Sequence, residues 1–537
     1  MSSIILFEIS WEVSNLVGGI HTVLASKLNQ AKKYANSYYT LGPYKNTEEF
    51  ESQDLPGLFI PLYEELKQIG ITIHYGKWIT NNQEANTLLV ELTGFESQAN
   101  HIKAKLWEQY QIDSLNTNWF DFDEVMTWSW ACGIVCEKIT QQLNPHTSII
   151  HTHEWMSSGA VFYIDTAKQE NKLKQNIKTV FTTHATMLGR AYYGTYDKLL
   201  VHEKEVLKEK TPYEIAQELN VHTKYQTELK ALETANAATC VSSLLKDEIK
   251  ALYFNSNVKV TENGFDNNIS FDDCISEFVS IHSKLTDDIQ DYFSSYYKVK
   301  KNMRIGIISG RFEIKAKGYD LTFEALGKLN TKLQQQDSSK DIVILAPIIA
   351  GNYQELETEQ TLDFNSNIAP LSKHNIEIEH PLMQLCFNNK LLNRKEDKVK
   401  IILIPRIVSS DKPYFNSNYY QLLKASDFSL FPSGYEPWGY TPHESIASGV
   451  VTLTSNCAGF GAYWQKMHIN NSIVKIASCS DHQAKILQIQ DFIEEEYKKT
   501  SQTQYREKKY ALEYAKELSW SVLYDKYRKI YEELVLK

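Results

Sequence analysis

The sequence predicts an α/β protein of two doubly wound domains, and three observations carry that expectation. Short apolar runs that end in polar or glycine turns alternate with stretches of helical periodicity along most of the chain. That alternation restarts after a polar, largely helical stretch near the middle of the sequence. The 537 residues also exceed what one ordinary hydrophobic core encloses, so two large domains are expected. Hydrophobic residues make up 42% and charged residues 23%, a globular and not a disordered composition. With 56 Lys and Arg against 66 Asp and Glu, the formal charge of -10 argues against a general nucleic-acid binder and leaves room for a local basic cleft.

The first element is the strand-like run Ile4 to Ile9, followed by Val17-Gly18-Gly19-Ile20 and by Val23, Leu24, Ala25 and Leu28 at helical spacing. Strand, glycine turn and helix in that order form a nucleotide-style α/β opening. The grammar returns at Ser148 to His151, at Lys178 to Thr183, and at Ala238 to Val241 after a helical stretch around Glu228 to Asn236. Such short strands between polar turns suit a parallel sheet covered by helices on both faces. Val258-Lys259-Val260 then leads into Glu262-Asn263-Gly264-Phe265.

The polar stretch from about Asn267 to Lys301 separates this unit from a second opening, Arg304 to Gly310. The expected division is a first domain over 1–280, a second over 281–510, and a helical segment over 511–537 that crosses the junction. Ile342 to Ala346, Val399 to Ile404, Phe428 to Phe431 and Val450 to Leu453 continue the second unit, with 351–389 as a polar insertion. Doubly wound domains place ligands at the carboxyl ends of their strands, here in the cleft between the two. The start of the chain has neither a basic leader nor a small-residue cleavage pattern, so the expectation is a cytoplasmic protein that is not exported. Ile342 to Ala346 and Ile401 to Ile404 are far too short to span a membrane. Seven scattered cysteines read as reduced thiols, and Cys132 with Cys136 lacks the second ligand pair of a structural zinc site.

The segment richest in chemistry is Glu436-Pro437-Trp438-Gly439-Tyr440-Thr441-Pro442-His443-Glu444, directly after the apolar Phe428 to Pro432. Proline and glycine explain a strand-to-helix turn; they do not explain two carboxylates. With Thr441 as the cap and Pro442 in the first helical position, backbone N–H groups would point out of the turn toward a bound phosphate. Glu436 just before that positive end and Glu444 in the first turns would add acceptors for sugar hydroxyls. A surface loop with a capped helix is the plainer reading of the same nine residues.

These motifs together resemble the glycogen synthase family of the animal and fungal type, which are retaining glucosyltransferases. The resemblance rests on Phe7 to Val13, Val17 to Ile20, His153-Glu154-Trp155, Thr182 to Arg190, Glu262-Asn263-Gly264, Gly310 to Gly318 and the Glu436 to Glu444 segment, whose order and spacing span most of the chain. It implies two facing Rossmann-like domains of the GT-B glycosyltransferase type, a nucleotide-sugar donor held mainly by the second, and transfer of glucose to the nonreducing 4-hydroxyl of an α-1,4-glucan. Starch-type synthases carry a lysine immediately before Thr-Gly-Gly; Leu16-Val17-Gly18-Gly19 here favours UDP-glucose over ADP-glucose by resemblance.

By the same resemblance Arg311 and Lys317 bind the donor phosphates, and charge chemistry agrees. A departing diphosphate develops negative charge that a planar guanidinium and a compact ammonium can meet. Gly18 and Gly19 let backbone approach the diphosphate, Tyr419 resembles the residue stacked on uracil, and Gly439, Tyr440 and Thr441 meet the phosphates. The resemblance further implies that Glu436 orients the donor and that Glu444 binds ribose. His184 approaches the transferred glucose, and Arg190 reaches the phosphates from the first domain. Glu154 beside His151 and His153 superficially resembles a metal ligand but better fits a cleft loop, so no metal and no further cofactor is expected. The partners implied are a nucleotide-sugar donor and glycogen or another α-1,4-glucan, without nucleic acid or membrane, and a homo-oligomer is compatible. Two departures matter. The region from Ile342 to Val399 is shorter than the insertion that contributes to the family's tetramers, and Ile446 to Lys537 lacks the arginine-rich helix that senses glucose 6-phosphate. Three rivals stay open: an ADP-glucose-dependent glucan synthase, another retaining nucleotide-sugar glycosyltransferase acting on a small acceptor, and a nonenzymatic glucan-binding scaffold.

Overall fold

A computed structural model describes residues 3–15, 18–45, 48–80, 83–173, 175–266, 270–336, 340–351, 353–355, 367–467, 472–478 and 481–536. Leu16 and Val17 of the first glycine loop, and parts of the expected linker and insertion, lie outside the described residues. The chain forms two units, Met1–Phe265 with Leu518–Lys537, and Asp266–Glu517.

The first unit is built on β1 (Ile4–Ile9), β2 (Ser37–Pro43), β3 (Phe50–Ser52), β4 (Ile71–Thr80), β5 (Gln83–Leu92), β6 (Thr147–His153), β7 (Ile177–Thr183), β8 (Ala237–Cys240) and β9 (Lys259–Val260). They form one sheet in the order β3-β4-β5-β2-β1-β6-β7-β8-β9. From β5 to β9 all neighbours are parallel, and β3, β4 and β5 pair antiparallel at one edge. The central strands β1 and β6 are buried almost end to end, which is why they read as near-continuous apolar runs. β2, β4 and β5 escaped the sequence reading because they mix tyrosine, threonine and charged residues with their apolar positions. The helix Gly19–Tyr34 packs Val23, Leu24, Leu28 and Ala31 inward, one stripe of a 3.6-residue period.

The first unit is completed by the chain's end. Trp520, Tyr527 and Tyr531 are fully buried in it, and the Trp520 indole donates to Ser26 Oγ at 2.7 Å. The Phe265 N–H bonds the Leu518 carbonyl at 3.1 Å, so the chain leaves and re-enters this unit side by side. A Cβ on Gly264 would come within 2.7 Å of the Trp520 backbone, a close approach that only glycine permits. These contacts correct the expected division. The boundaries fall at 265/266 and 517/518, not at 280 and 510. Helix Phe271–Ser294 is continuous across position 280, and its Leu285, Ile289 and Phe293 belong to the second unit's core with Ile305 and Ile307. Helix Ser501–Glu517 likewise stays with the second unit.

The second unit contains β10 (Met303–Ile307), β11 (Gly310–Arg311), β12 (Asp341–Ile349), β13 (Gln354–Glu355), β14 (His374–Asn375), β15 (Val399–Ile404), β16 (Phe428–Phe431), β17 (Val451–Ser455) and β18 (Val474–Ala477). β13 and β14 make a separate antiparallel pair. The main sheet runs β15-β12-β10-β16-β17-β18, all parallel, with the short β11 also on β12. Strand order therefore reverses between β10 and β16, the position where open α/β sheets bind ligands beyond the strand ends. The segments leaving those two strands carry Arg311, Lys317 and Glu436. Among the described residues, no helix is long and apolar enough to cross a membrane.

Candidate active site

Each unit gathers polar residues at the carboxyl ends of its central parallel strands. In the second unit, β11 presents Arg311 and the one-turn helix Ile314–Lys317 presents Lys317. Gly318 follows with φ of 70°, and a Cβ there would lie 2.3 Å from the Pro432 carbonyl oxygen. Glycine thus lets the Lys317 turn press on the segment after β16, where the Gly434 N–H also bonds the Ala316 carbonyl at 2.9 Å. That approach brings Lys317 Nζ into an ion pair with Glu436 Oε2, both side chains remaining about one-fifth accessible. The Glu436 backbone is clamped, its N–H on the Cys457 carbonyl at 3.3 Å and its carbonyl accepting from the Gly459 N–H at 2.8 Å. Arg311 stays half exposed, with Glu313 Oε1 at 3.2 Å, while the Tyr319 hydroxyl holds its carbonyl at 3.1 Å.

The helix after Glu436 runs Tyr440–Ala447, and its cap is Gly439 at φ of 100°, without a side-chain cap bond. Thr441 and Pro442 are therefore the second and third helical residues, a correction to the expected cap and first position. The left-handed turn at Gly439 starts the helix sooner than a Thr441 cap would, and a first-turn proline is tolerated because that N–H has no intrahelical partner. Trp438, His443 and Phe460 support the turn from beneath, with His443 and Phe460 stacked at 5.2 Å. Glu444 is buried one turn on and accepts from the Tyr420 hydroxyl at 3.1 Å; burial pushes its carboxyl up to about 7. Tyr419 leans on the core cluster and its hydroxyl lies 3.0 Å from Ser309 Oγ, whereas the neighbouring ring of Tyr420 is the exposed one.

In the first unit, Gly18 and Gly19 open the helix that follows β1. Glu12 Oε2 accepts from the Gly18 N–H at 3.0 Å and the His21 N–H at 2.8 Å, so the chain's own carboxylate engages this helix start. A Cβ on Gly18 would meet Glu12 at 2.9 Å, but one on Gly19 would meet nothing within 4 Å. Glu154 follows β6 with φ of 67°, a left-handed backbone that is uncommon outside glycine. Its Oε1 accepts the backbone N–H groups of His184 and Ala185, each at 2.9 Å, and so shapes the turn after β7. Burial lifts the Glu154 carboxyl to about 7 against the opposing pull of Arg190. Arg190 is exposed on the helix Met187–Tyr196, which Thr186 caps through the Gly189 N–H at 3.0 Å.

Behind His184 lies a buried cluster that the sequence reading did not assemble. Glu8, Lys27, His151 and His153 are inaccessible or nearly so, and Lys27 Nζ stands 2.5 Å from Glu8 Oε1. Glu8, His151 and His153 have the donor set of a cation site, with donor atoms within 4.8 Å of one another. The Lys27 ammonium already supplies a positive charge beside Glu8. A sequence signal existed, since Glu8 sits inside an otherwise apolar strand and Lys27 on the apolar stripe of the following helix. One further expectation changes: Cys457 is disulfide-bonded, while Cys132, Cys136, Cys240, Cys274 and Cys386 are free and buried. Spacing along the chain could not indicate which cysteines meet.

Two Rossmann-type units, each with its polar cluster beyond the carboxyl ends of parallel strands, have the architecture of the GT-B fold. A family model described as Glycogen synthase matches residues 8–362 and 362–536. Similar curated proteins include the liver glycogen [starch] synthase of Rattus norvegicus, 25% identical over 87% of this chain and 73% of its own length. Glycogen [starch] synthase isoform 1 of Saccharomyces cerevisiae is 26% identical over 86% of this chain and 75% of its own. Among solved structures, the catalytic domain of starch synthase IV from Arabidopsis thaliana, bound to ADP and acarbose, superposes with a TM-score of 0.60 at 13% identity over all of both chains. An E. coli trehalose-6-phosphate structure bound with UDP-2-fluoro glucose gives 0.54 at 12% identity over 99% of both. The chain belongs to the glycogen synthase family, and is a glycosyltransferase acting from a nucleotide-sugar donor.

Proposed function

We propose that this enzyme elongates a cytoplasmic α-1,4-glucan from UDP-glucose, with Arg311 and Lys317 receiving the diphosphate. The observation that carries this reading is the Lys317–Glu436 pair at the strand-order reversal of the second unit, still open to solvent. A lysine in a pair that still meets solvent can exchange a carboxylate for phosphate oxygens, because the incoming phosphate replaces the charge partner that it gives up. Arg311, half exposed, adds a forked donor for a second phosphate, and the N–H groups at Tyr440 and Thr441 add the helix-start field. Of the first unit's candidates, Gly19 and Arg190 are the ones left to serve the diphosphate, because the Gly18 N–H is held by Glu12.

Negative charge develops on the leaving oxygen as the glycosidic bond breaks, and Lys317 and Arg311 stabilise it most in the transition state. Released from Lys317, Glu436 orients the glucose. His184 offers its carbonyl to the positive anomeric carbon and its ring to a sugar hydroxyl. Attack by the acceptor 4-hydroxyl on the face that the diphosphate leaves accounts for retention, with the departing phosphate taking the hydroxyl proton. Glu444 binds the ribose, and Tyr419 with its exposed neighbour Tyr420 flanks the base. The chain's own cations neutralise the diphosphate, so full turnover after exhaustive chelation is expected.

Incorporation of labelled glucose into glycogen, read with a donor panel and linkage-specific digestion, tests the reading. UDP-glucose should rank first and new α-1,4 bonds should carry the label. A preference for ADP-glucose overturns the donor assignment alone, and product confined to a small acceptor overturns the glucan. Trapping a glucosyl ester on Glu436 would replace same-face attack by double displacement.

A further inference from the structure

The buried cluster behind His184 has a hydrogen-bond logic that the proposed reaction leaves unused. Glu8 Oε2 accepts from the Tyr38 hydroxyl at 2.6 Å, and Oε1 faces Lys27 Nζ at 2.5 Å. Burial alone would raise the Glu8 carboxyl, but the Lys27 ammonium and bonds from His151 and His153 hold it well below the usual carboxylate range. An ionised carboxylate only accepts hydrogen bonds. His153 Nε2, 3.4 Å from Glu8 Oε1, must therefore carry a proton and donate it.

Burial keeps His153 neutral, and a neutral imidazole has one N–H. Its Nδ1 is consequently an acceptor, and the partner at 2.9 Å is His184 Nε2, which must be the donor. His184 is also neutral, burial lowering its ring to about 3, so its single proton is spoken for. Among the described residues, His184 Nδ1 makes no hydrogen bond, and the residue is half-buried where Glu8, Lys27 and His153 are buried. His151 faces the same carboxylate at 3.3 Å, but its other partners are the hydroxyls of Tyr531 at 2.7 Å and Thr182 at 2.6 Å. Hydroxyls donate or accept as needed, so His151 passes no constraint to His184.

We propose that Glu8, acting through His153, locks His184 in the Nε2–H tautomer and so presents Nδ1 as a hydrogen-bond acceptor to a hydroxyl of the sugar ligand. Lys27 and Tyr38 keep Glu8 a pure acceptor; Glu8, Lys27 and His153 are positioning residues, not catalytic ones. The part concerning the ligand rests on His184 facing the sugar, as proposed above.

A long-range proton–nitrogen correlation spectrum of the full chain, labelled with 15N in its histidine rings, reads each tautomer directly. The resonance lost in His184→Ala identifies the ring. Protonated Nε2 with bare Nδ1 is expected for His184, and the opposite tautomer or an averaged signal overturns the lock. In the double variant Glu8→Gln with Lys27→Met, both charges go while volume is roughly kept, an exchange proteins often tolerate. Its His184 signal should average between tautomers, and kcat should fall about tenfold to a hundredfold with donor affinity little changed. An unchanged His184 signal in the folded double variant overturns the proposal. Should that variant not fold, His153→Phe severs the relay with the ion pair intact and is read the same way. Full turnover in His184→Ala would instead overturn only the ligand-facing reading, leaving the tautomer result to stand by itself.

Discussion

The two units each set a lysine against a glutamate near the end of a central strand, and they use the pair in opposite ways. Lys27–Glu8 in the first unit is wholly inaccessible, whereas Lys317–Glu436 in the second keeps about a fifth of each side chain open. Desolvation explains the difference in consequence. A buried pair has already lost its water, so neither partner can leave without stranding the other, and it serves as a fixed source of charge and hydrogen bonds. A pair that keeps about a fifth of its surface open to solvent can trade partners without leaving a dry charge behind, which suits a lysine that must change from carboxylate to phosphate.

The largest effect should come from breaking the buried pair singly. Lys27→Ala strands the Glu8 carboxylate and is expected to cost about 3–5 kcal/mol of stability in denaturant unfolding. A loss below 1 kcal/mol would mean the pair is far less dry than its burial indicates. Next, Lys317→Ala should lower kcat by about 10²–10³-fold with almost no change in melting temperature. A stability loss matching the Lys27 variant would erase the contrast between the pairs. Smaller again, Arg311→Ala should weaken donor binding by about 1.5–3 kcal/mol, measured by titration with UDP-glucose.

The smallest effect sharpens the comparison with a carboxylate that has no cation. Glu444 is buried among tyrosine hydroxyls, and its carboxyl stands near 7 and not at an ordinary value. A carboxyl raised on folding binds a proton that the unfolded chain has already lost, so stability falls as pH rises from the unfolded to the folded value. Between about pH 6 and pH 8 the ligand-free parent should therefore lose about 1 kcal/mol relative to Glu444→Gln. Parallel stability curves for the two proteins would show that Glu444 stays ionised.

The positions of Arg311, Lys317 and the 436–444 segment were legible because all three follow within about ten residues of the apolar strands β10 and β16, where local order already implies position. The turn itself was misread by two residues, since the left-handed Gly439 takes over the capping place given to Thr441. Glu154 looked like a companion of His151 and His153, but its strained backbone and its hold on the His184 turn depend on β6 and β7 lying side by side. Tyr419 and Tyr420 are alike in sequence, and only the turn of the helix Tyr419–Ala425 sets the first against the core cluster and leaves the second accessible.

By itself the sequence determined the two runs of strand and helix, the central parallel strands of each sheet, and the family to which the chain belongs, because periodicity and turn chemistry are local. Only the tertiary structure decided that the last residues return to the first unit, that Lys27 neutralises Glu8, and that His153 hands its constraint to His184. Those outcomes join β1, the following helix, β6 and β7. Whether a charge is buried, and which proton an imidazole keeps, depend on every neighbour that excludes water from it, and those neighbours are set by the packing of distant segments.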